Sequence, residues 1–192
     1  MTTWHWVRHG PTHETAFVGW RDVPADLSDT AQIARLTAFL PSDALVVSSD
    51  LIRAAATADA IGADRRRLPN DPDLREFHFG DWDGEHFSTV AERYPDLSRA
   101  YWETPGDTAP PGGESWNMAA RRITAAVDRI ARAHPVDHII AVAHIGVILT
   151  QVQRAQQSAA AQTISQKIDN LSVSQVRFDG ARWHADLINH CP

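Results

Sequence analysis

The chain is predicted to fold as an α/β protein, a three-layer α/β/α sandwich around a mostly parallel central sheet, on three observations. Short apolar runs alternate with amphipathic helical stretches over most of the chain, and that order brings successive strands back parallel across a covering helix. The runs Trp4–Val7, Ala44–Ser48 and Ile139–Ala143 lack polar alternation, as strands buried on both faces do. Leu171–Phe178 and Arg182–Ile188, joined through Asp179-Gly180, carry a hairpin signal and add late antiparallel strands.

Taken in order, Trp4–Val7 is a strand that meets a Gly-Pro turn, and the stretch from Pro11 to Leu27 is an irregular loop. Ser28 or Asp29 caps a helix whose Ile33, Leu36 and Leu40 share one face, with Pro41 as its stop. After the strand Ala44–Ser48, Asp50 precedes an alanine-rich helix over Leu51–Ile61 that Gly62 ends, with Arg53 in its first turn. Leu74 to Gly84 has no period and two glycines, so it is expected as a structured loop. Short helices are expected over Ser88–Arg93 and Leu97–Glu103, then a Pro- and Gly-dense connection over Thr104–Gly113. The longest helix is expected from about Glu114 to His134, with Trp116, Ala119, Ile123, Val127 and Ile130 on one stripe and Pro135 past its end. A strand over Asp137–Ala143 then passes through His144 into a helix over Gly146–Gln157.

With 192 residues, 43% hydrophobic and 22% charged, the chain is expected to be one domain over residues 1–192 with a sizeable core. A net charge of -6 and a pI near 5.9 argue against nucleic acid or an anionic membrane as the main partner, because both need a broad basic field. Anion binding must then be local. Cys191 is the only cysteine, which excludes an internal disulfide and a cysteine zinc site and fits a reducing compartment. Met1–Trp6 lacks the pattern of a secretory signal, and the most apolar run, Ile139–Leu149, is interrupted by His144 and too short to span a bilayer. A cytoplasmic location is the expectation. Seven tryptophans leave room for an exposed cluster that would pair two copies as a homodimer.

In an open parallel sheet the carboxyl ends of the strands face one crevice. The three strands above end at Arg8-His9-Gly10, before Arg53, and at His144, so two arginines and two histidines converge there, and that set suits a phosphoryl group. A neutral imidazole attacks phosphorus when its other ring nitrogen is held by an acceptor, which makes His9 the candidate nucleophile. Arg8 and Arg53 offer planar donor forks that match phosphoryl oxygens and stay charged at any working pH. His144 is a further donor, beside the amides that start the next helix. The plainer alternatives are a hydrogen-bonded structural histidine and arginines held in surface ion pairs.

Val7-Arg8-His9-Gly10-Pro11-Thr12 resembles the phosphohistidine signature of the histidine phosphatase superfamily. The likeness continues in family order through Gly19-Trp20-Arg21-Asp22, Ser48 to Ala54, Leu74-Arg75-Glu76 with Gly80 and Trp82, Gly113-Glu114-Ser115 and His144. It implies a phosphoglycerate mutase-like fold and a phosphohistidine intermediate on His9. The other histidines are dispersed, with no pair at helical metal-ligand spacing joined by a third ligand, so no metal is expected, and no cofactor. Glu76 is then the proton donor to the leaving oxygen and later the base for water, although from the residue alone an exposed loop carboxylate is the plainer reading. Thr12 and Gly19 are expected to give the substrate a hydroxyl and a close backbone approach. Thr15 stands where many members carry asparagine, and Ile145 where glycine usually follows the second histidine; both are expected beside the substrate.

Mutases of this superfamily typically carry an Arg-Arg pair before the proline-rich loop to grip a carboxylate, and Thr104–Pro111 has no arginine. The small-phosphatase branch therefore fits better, as a phosphomonoesterase acting on a small phosphorylated metabolite. Mutase-type phosphoryl transfer and a catalytically silent phosphate-binding module are the alternatives. Trp20, Phe77, Phe79 and Trp82 are expected mainly to anchor loops to the core, and Arg65-Arg66-Arg67 to form a solvated patch.

Overall fold

The computed structural model describes residues 1–192. Its elements are β1 (Thr2–Arg8), α1 (Thr30–Phe39), β2 (Leu45–Ser48), α2 (Ile52–Gly62), α3 (Phe87–Arg93), α4 (Pro95–Glu103), α5 (Trp116–Ala133), β3 (His138–Ala143), α6 (Ile145–Gln156), α7 (Ala160–Thr163), β4 (Val173–Phe178) and β5 (Trp183–His190). The sheet runs β2-β3-β1-β4-β5. Pairs β2–β3 and β3–β1 are parallel, whereas β1–β4 and β4–β5 are antiparallel. The sheet is therefore mixed, with β4 alone opposed in direction.

Alternation along the three parallel strands sorts the core into two layers. Trp4, Trp6, Leu45, Val47, Ile139 and Ala141 point to one face and pack under α5 and α6. Val7, Val46, Ile140 and Val142 point to the other and meet Leu36 of α1 and Ala54, Ala58 and Ile61 of α2. Both faces are covered, which is why these runs are apolar without a break. On α5 the buried stripe is Trp116, Ala119, Ile123, Ala126, Val127 and Ile130, the face expected from its 3.6-residue period.

The boundaries shift where a local group wins over the periodic pattern. Asp29 caps α1, its side chain accepting from the Gln32 amide. Ser115 caps α5, so Glu114 lies outside that helix and its carboxylate is free for other work. Leu171 adopts a positive φ of 59°, which ends any extended run there and delays β4 to Val173. The segment from Leu74 to Gly84, expected as a structured loop, holds a 3₁₀ turn over Gly80–Trp82 and follows another over Pro72–Leu74, and α7 was not anticipated at all. No helix is long and apolar enough to cross a membrane.

Two expectations are corrected. Arg65 is not a solvated residue: its guanidinium donates to the carbonyls of Thr37, Leu40, Pro41 and Ile61, satisfying the last turns of α1 and α2. Arg67 likewise donates to Ser48 Oγ and Asn70, which leaves Arg66 as the exposed member of the triplet. Of the seven tryptophans Trp102 alone is exposed, so they form no surface cluster and give no argument for a homodimer.

Candidate active site

The carboxyl ends of β1 and β3, together with the start of α2, close on a cavity of about 320 Å³. That is the lower end of the range for small-molecule sites, ~300–1,000 Å³, and suits a metabolite rather than a macromolecule. Arg8, His9, Arg53 and Glu76 line it, with Thr12 and Ile145.

His9 follows β1 directly and is buried. Its Nδ1 lies 2.7 Å from the Gly10 carbonyl, an acceptor only, so Nδ1 carries the proton and Nε2 keeps the lone pair. Burial, reinforced by the Arg53 and Arg8 charges, lowers the His9 pKa to about 3, so the ring is neutral throughout the physiological range. The surrounding turn is stapled from two sides. The Gly10 amide donates to Thr57 Oγ1 at 3.0 Å, and Thr57 donates in turn to the Arg53 carbonyl at 2.7 Å. Asn170 Nδ2 donates to the His9 carbonyl at 2.8 Å. These bonds fix the imidazole against α2 and against the loop before β4.

Arg53 is 1% exposed, which rules out the surface ion pair. Its Nη atoms donate to the carbonyls of Arg21 (3.0 Å) and Gly19 (2.7 Å), and its Nε is buried without a partner. Arg8 has the same pattern, with Nη1 on the Ile168 carbonyl at 2.6 Å and an unpartnered Nε. His144 is fully buried with both ring nitrogens unpartnered, its centroid 5.1 Å from that of His9. Buried polar atoms are nearly always satisfied, and leaving one bare costs about 1–3 kcal/mol. The two arginine Nε–H groups and the single N–H of the neutral His144 ring leave three donors beside the His9 imidazole, a set suited to an oxygen-rich anion.

Glu76 is 4% exposed, so the exposed-carboxylate alternative does not hold. Its oxygens accept from the amides of Phe77 (2.9 Å) and Gly146 (3.2 Å). Desolvation nevertheless outweighs those bonds and the Arg53 and Arg8 charges, and its pKa is raised. A carboxyl so raised keeps its proton to higher pH than an exposed one. Arg122 pins its segment, donating to the carbonyls of Asp73, Arg75 and Glu76 while its other face pairs with Glu114 at 2.6–2.8 Å. Trp20 Nε1 adds a bond to the Glu76 carbonyl at 2.8 Å, and Arg75 lies over the Trp20 ring.

The structure separates the expected substrate-side residues. Thr12 and Ile145 line the cavity. Thr15 is exposed and outside the lining, between Glu14 and Ala16, which line it. Gly19 is also outside the lining: its amide donates to Asp83 Oδ1 and its carbonyl holds Arg53, which makes it a support for the arginine. A Cβ there would lie 2.7 Å from the Phe77 carbonyl oxygen, so glycine is needed for packing. At the start of α6 the intolerant position is Gly146, where a Cβ would lie 2.4 Å from Glu76 Oε1; Ile145 instead adds an apolar wall.

Sequence reading missed several contributors. Phe17, Phe87 and Trp102 line the cavity, as does Phe79, which was expected mainly to anchor its loop, whereas Phe77 and Trp82 are core residues. Phe87 and Trp102 are large apolar side chains left exposed on their helices, a signal visible only once the buried face is known. Thr57, Asn170 and Arg122 carry no motif that sets them apart.

The model of the histidine phosphatase superfamily (branch 1) matches residues 5–190, and the chain belongs to that family. The chain is 36% identical over 187 residues to phosphoglycerate mutase-like protein 4 of Arabidopsis thaliana, covering 92% of this chain and 80% of that protein. It is 33% identical over 144 residues to an Arabidopsis thaliana metal-independent phosphoserine phosphatase, covering 73% of this chain and 59% of that one. The solved structure of a mycobacterial glucosyl-3-phosphoglycerate phosphatase superposes with a TM-score of 0.87 at 26% identity, each chain covered in full. Such neighbours carry the same phosphoglycerate mutase-like sandwich.

Proposed function

We propose that the chain is a phosphomonoesterase that hydrolyses a small phosphorylated metabolite through a phosphohistidine on His9. The observation that carries this reading is the neutral, tautomer-fixed imidazole of His9 set among unpartnered arginine and histidine nitrogens. Phosphatase names among the relatives and structural neighbours support it.

In the first step Nε2 of His9 attacks phosphorus as the bond from phosphorus to the ester oxygen breaks, and Glu76 gives its proton to that oxygen, releasing the alcohol. In the second, Glu76 takes a proton from a water whose oxygen bonds to phosphorus as the P–N bond breaks, returning the lone pair to Nε2 of His9, and inorganic phosphate leaves. Arg8, Arg53 and the His144 ring offset the charge on the phosphoryl oxygens during both steps. With that charge met by side chains, the scheme asks for no metal. The acidic chain and lone cysteine suit work in the cytoplasm.

Water wins over a second acceptor because nothing in the cavity beyond Arg8 and Arg53 is cationic, so no site retains a phosphoglycerate for retransfer. The direct test is His9→Ala. Turnover of 4-nitrophenyl phosphate should fall by at least about 10³-fold, and the acid-labile phosphoenzyme trapped by rapid quench of the wild type should be absent. Near-normal turnover in the folded variant overturns the assignment.

A further inference from the structure

The part of the cavity away from the phosphoryl pole is built from aromatic side chains and lacks positive charge. Phe17 sits at its centre, 4.4 Å from the Phe87 ring, 4.9 Å from Phe79 and 6.2 Å from Trp102 in a stacked orientation. Phe87 and Trp102 are nonetheless 48% and 41% exposed, so part of each ring stands open at the mouth. A second cavity of about 110 Å³ adjoins the first through Glu76, Phe79, Trp102 and Ile145 and continues apolar to Leu149 and Ile164.

Charge sharpens the picture. The only cations lining either cavity are Arg8 and Arg53, which belong to the phosphoryl pole. The arginines nearest the mouth are already committed: Arg21 pairs with Glu14 at 2.7 Å, Arg75 with Asp50, and Arg122 with Glu114. Glu14, which lines the cavity, holds the Arg21 guanidinium, so that charge is already met before a substrate enters. Transfer of a carboxylate from water into an apolar wall without a partner is strongly unfavourable, whereas an aromatic ring gains from it.

We infer that the substrate is the monophosphate of a flat, apolar alcohol or phenol bearing no carboxylate and no second phosphate, with Phe17, Phe87 and Trp102 as the residues that select it. The inference rests on the phosphomonoesterase reading for its reaction but on the cavity wall for its selectivity. It separates this chain from a phosphoserine phosphatase, whose substrate carries a carboxylate.

The test pairs hydrolysis with binding, so that the two readings fail separately. 2-Phenylethyl phosphate and phosphoserine both release aliphatic alcohols, and kcat/KM should favour the former by on the order of tenfold or more. In calorimetric titration of the wild type, benzylphosphonate should bind more tightly than phosphonoacetate by a similar factor. Phe87→Ala with Trp102→Ala, both at exposed positions, should shrink each ratio several-fold. Ratios near one or reversed, or ratios that the double variant leaves unchanged, overturn the inference. Equal hydrolysis of both esters would do so while leaving the phosphatase intact. Tight benzylphosphonate binding with hydrolysis of neither ester would keep the selectivity and discard the phosphatase.

Discussion

The two ends of the cavity are built on opposite principles. At the phosphoryl end the side chains are buried or half-buried, and most are held by at least one further bond: His9 by Gly10, Arg8 by Ile168, Arg53 by Gly19 and Arg21, and Glu76, on the segment before Gly80, by Phe77 and Gly146. At the leaving-group end Phe87 and Trp102 ride on the short helices α3 and α4 and stand partly in solvent, packed on the buried ring of Phe17. A dry, pre-aligned pole suits a reaction in which charge moves between fixed atoms, since it needs no rearrangement as charge develops. An apolar rim tolerates exchange of side chains at little structural cost. Reaction type and substrate range are thus lodged in different parts of the fold.

The strongest way to break this comparison is Glu76→Gln, which keeps the shape and removes the transferable proton. Hydrolysis of an aliphatic ester should slow by about 10²–10⁴-fold, and that of 4-nitrophenyl phosphate far less, since nitrophenolate leaves without help. In the wild type the aliphatic rate should also fall relative to the nitrophenyl rate as pH rises through the raised Glu76 pKa, because protonated Glu76 is the acid. Substrate ionisation acts on both esters and cancels in the ratio. Equal slowing of the two in the variant would remove Glu76 from the chemistry.

Acid stability probes the dryness of the pole. His9 is lowered to about 3, the remote His5 to about 4, and His144 well below its ordinary value, in each case chiefly by burial. Above pH 6.5 these rings are neutral in both folded and unfolded chains and their protonation takes nothing from stability. As pH falls from about 6.5 toward 3, the unfolded chain binds protons that the folded chain refuses, so stability is lost progressively across that window. A loss on the order of a few kcal/mol is expected from denaturant titrations at pH 7 and pH 4. His9→Phe should flatten part of the slope; an unchanged slope would mean that the ring is wet.

The smallest effect belongs to the rim. Phe87→Ala and Trp102→Ala should each cost about 1 kcal/mol or less by the same titrations, because both side chains are substantially exposed already. A cost of several kcal/mol would show that the rim is part of the core and erase the division drawn above.

Much of the pole was legible before any coordinates. Strand-end residues converge in a parallel sheet by topology, so Arg8, His9, Arg53 and His144 could be placed together from the apolar runs, and the ordered motifs added Glu76. Thr15 and Gly19 show the limit. Both lie in an irregular loop, where proximity in sequence to His9 says nothing about direction, and the loop carries Thr15 to the surface and turns Gly19 into a carbonyl acceptor for Arg53. Arg65 fails for a related reason: three consecutive arginines read as solvent-facing, yet two helix ends present four carbonyls to the first of them.

By itself, then, the sequence determined the layers, the parallel strands and the residue types at the reactive pole, because hydrophobic period and strand-end position are local properties that tertiary packing respects. The rim, the supports from Thr57, Asn170 and Arg122, and the protonation of each buried group were decided only by tertiary structure. They depend on which side chains meet across long sequence separations and on how completely water is excluded where they meet.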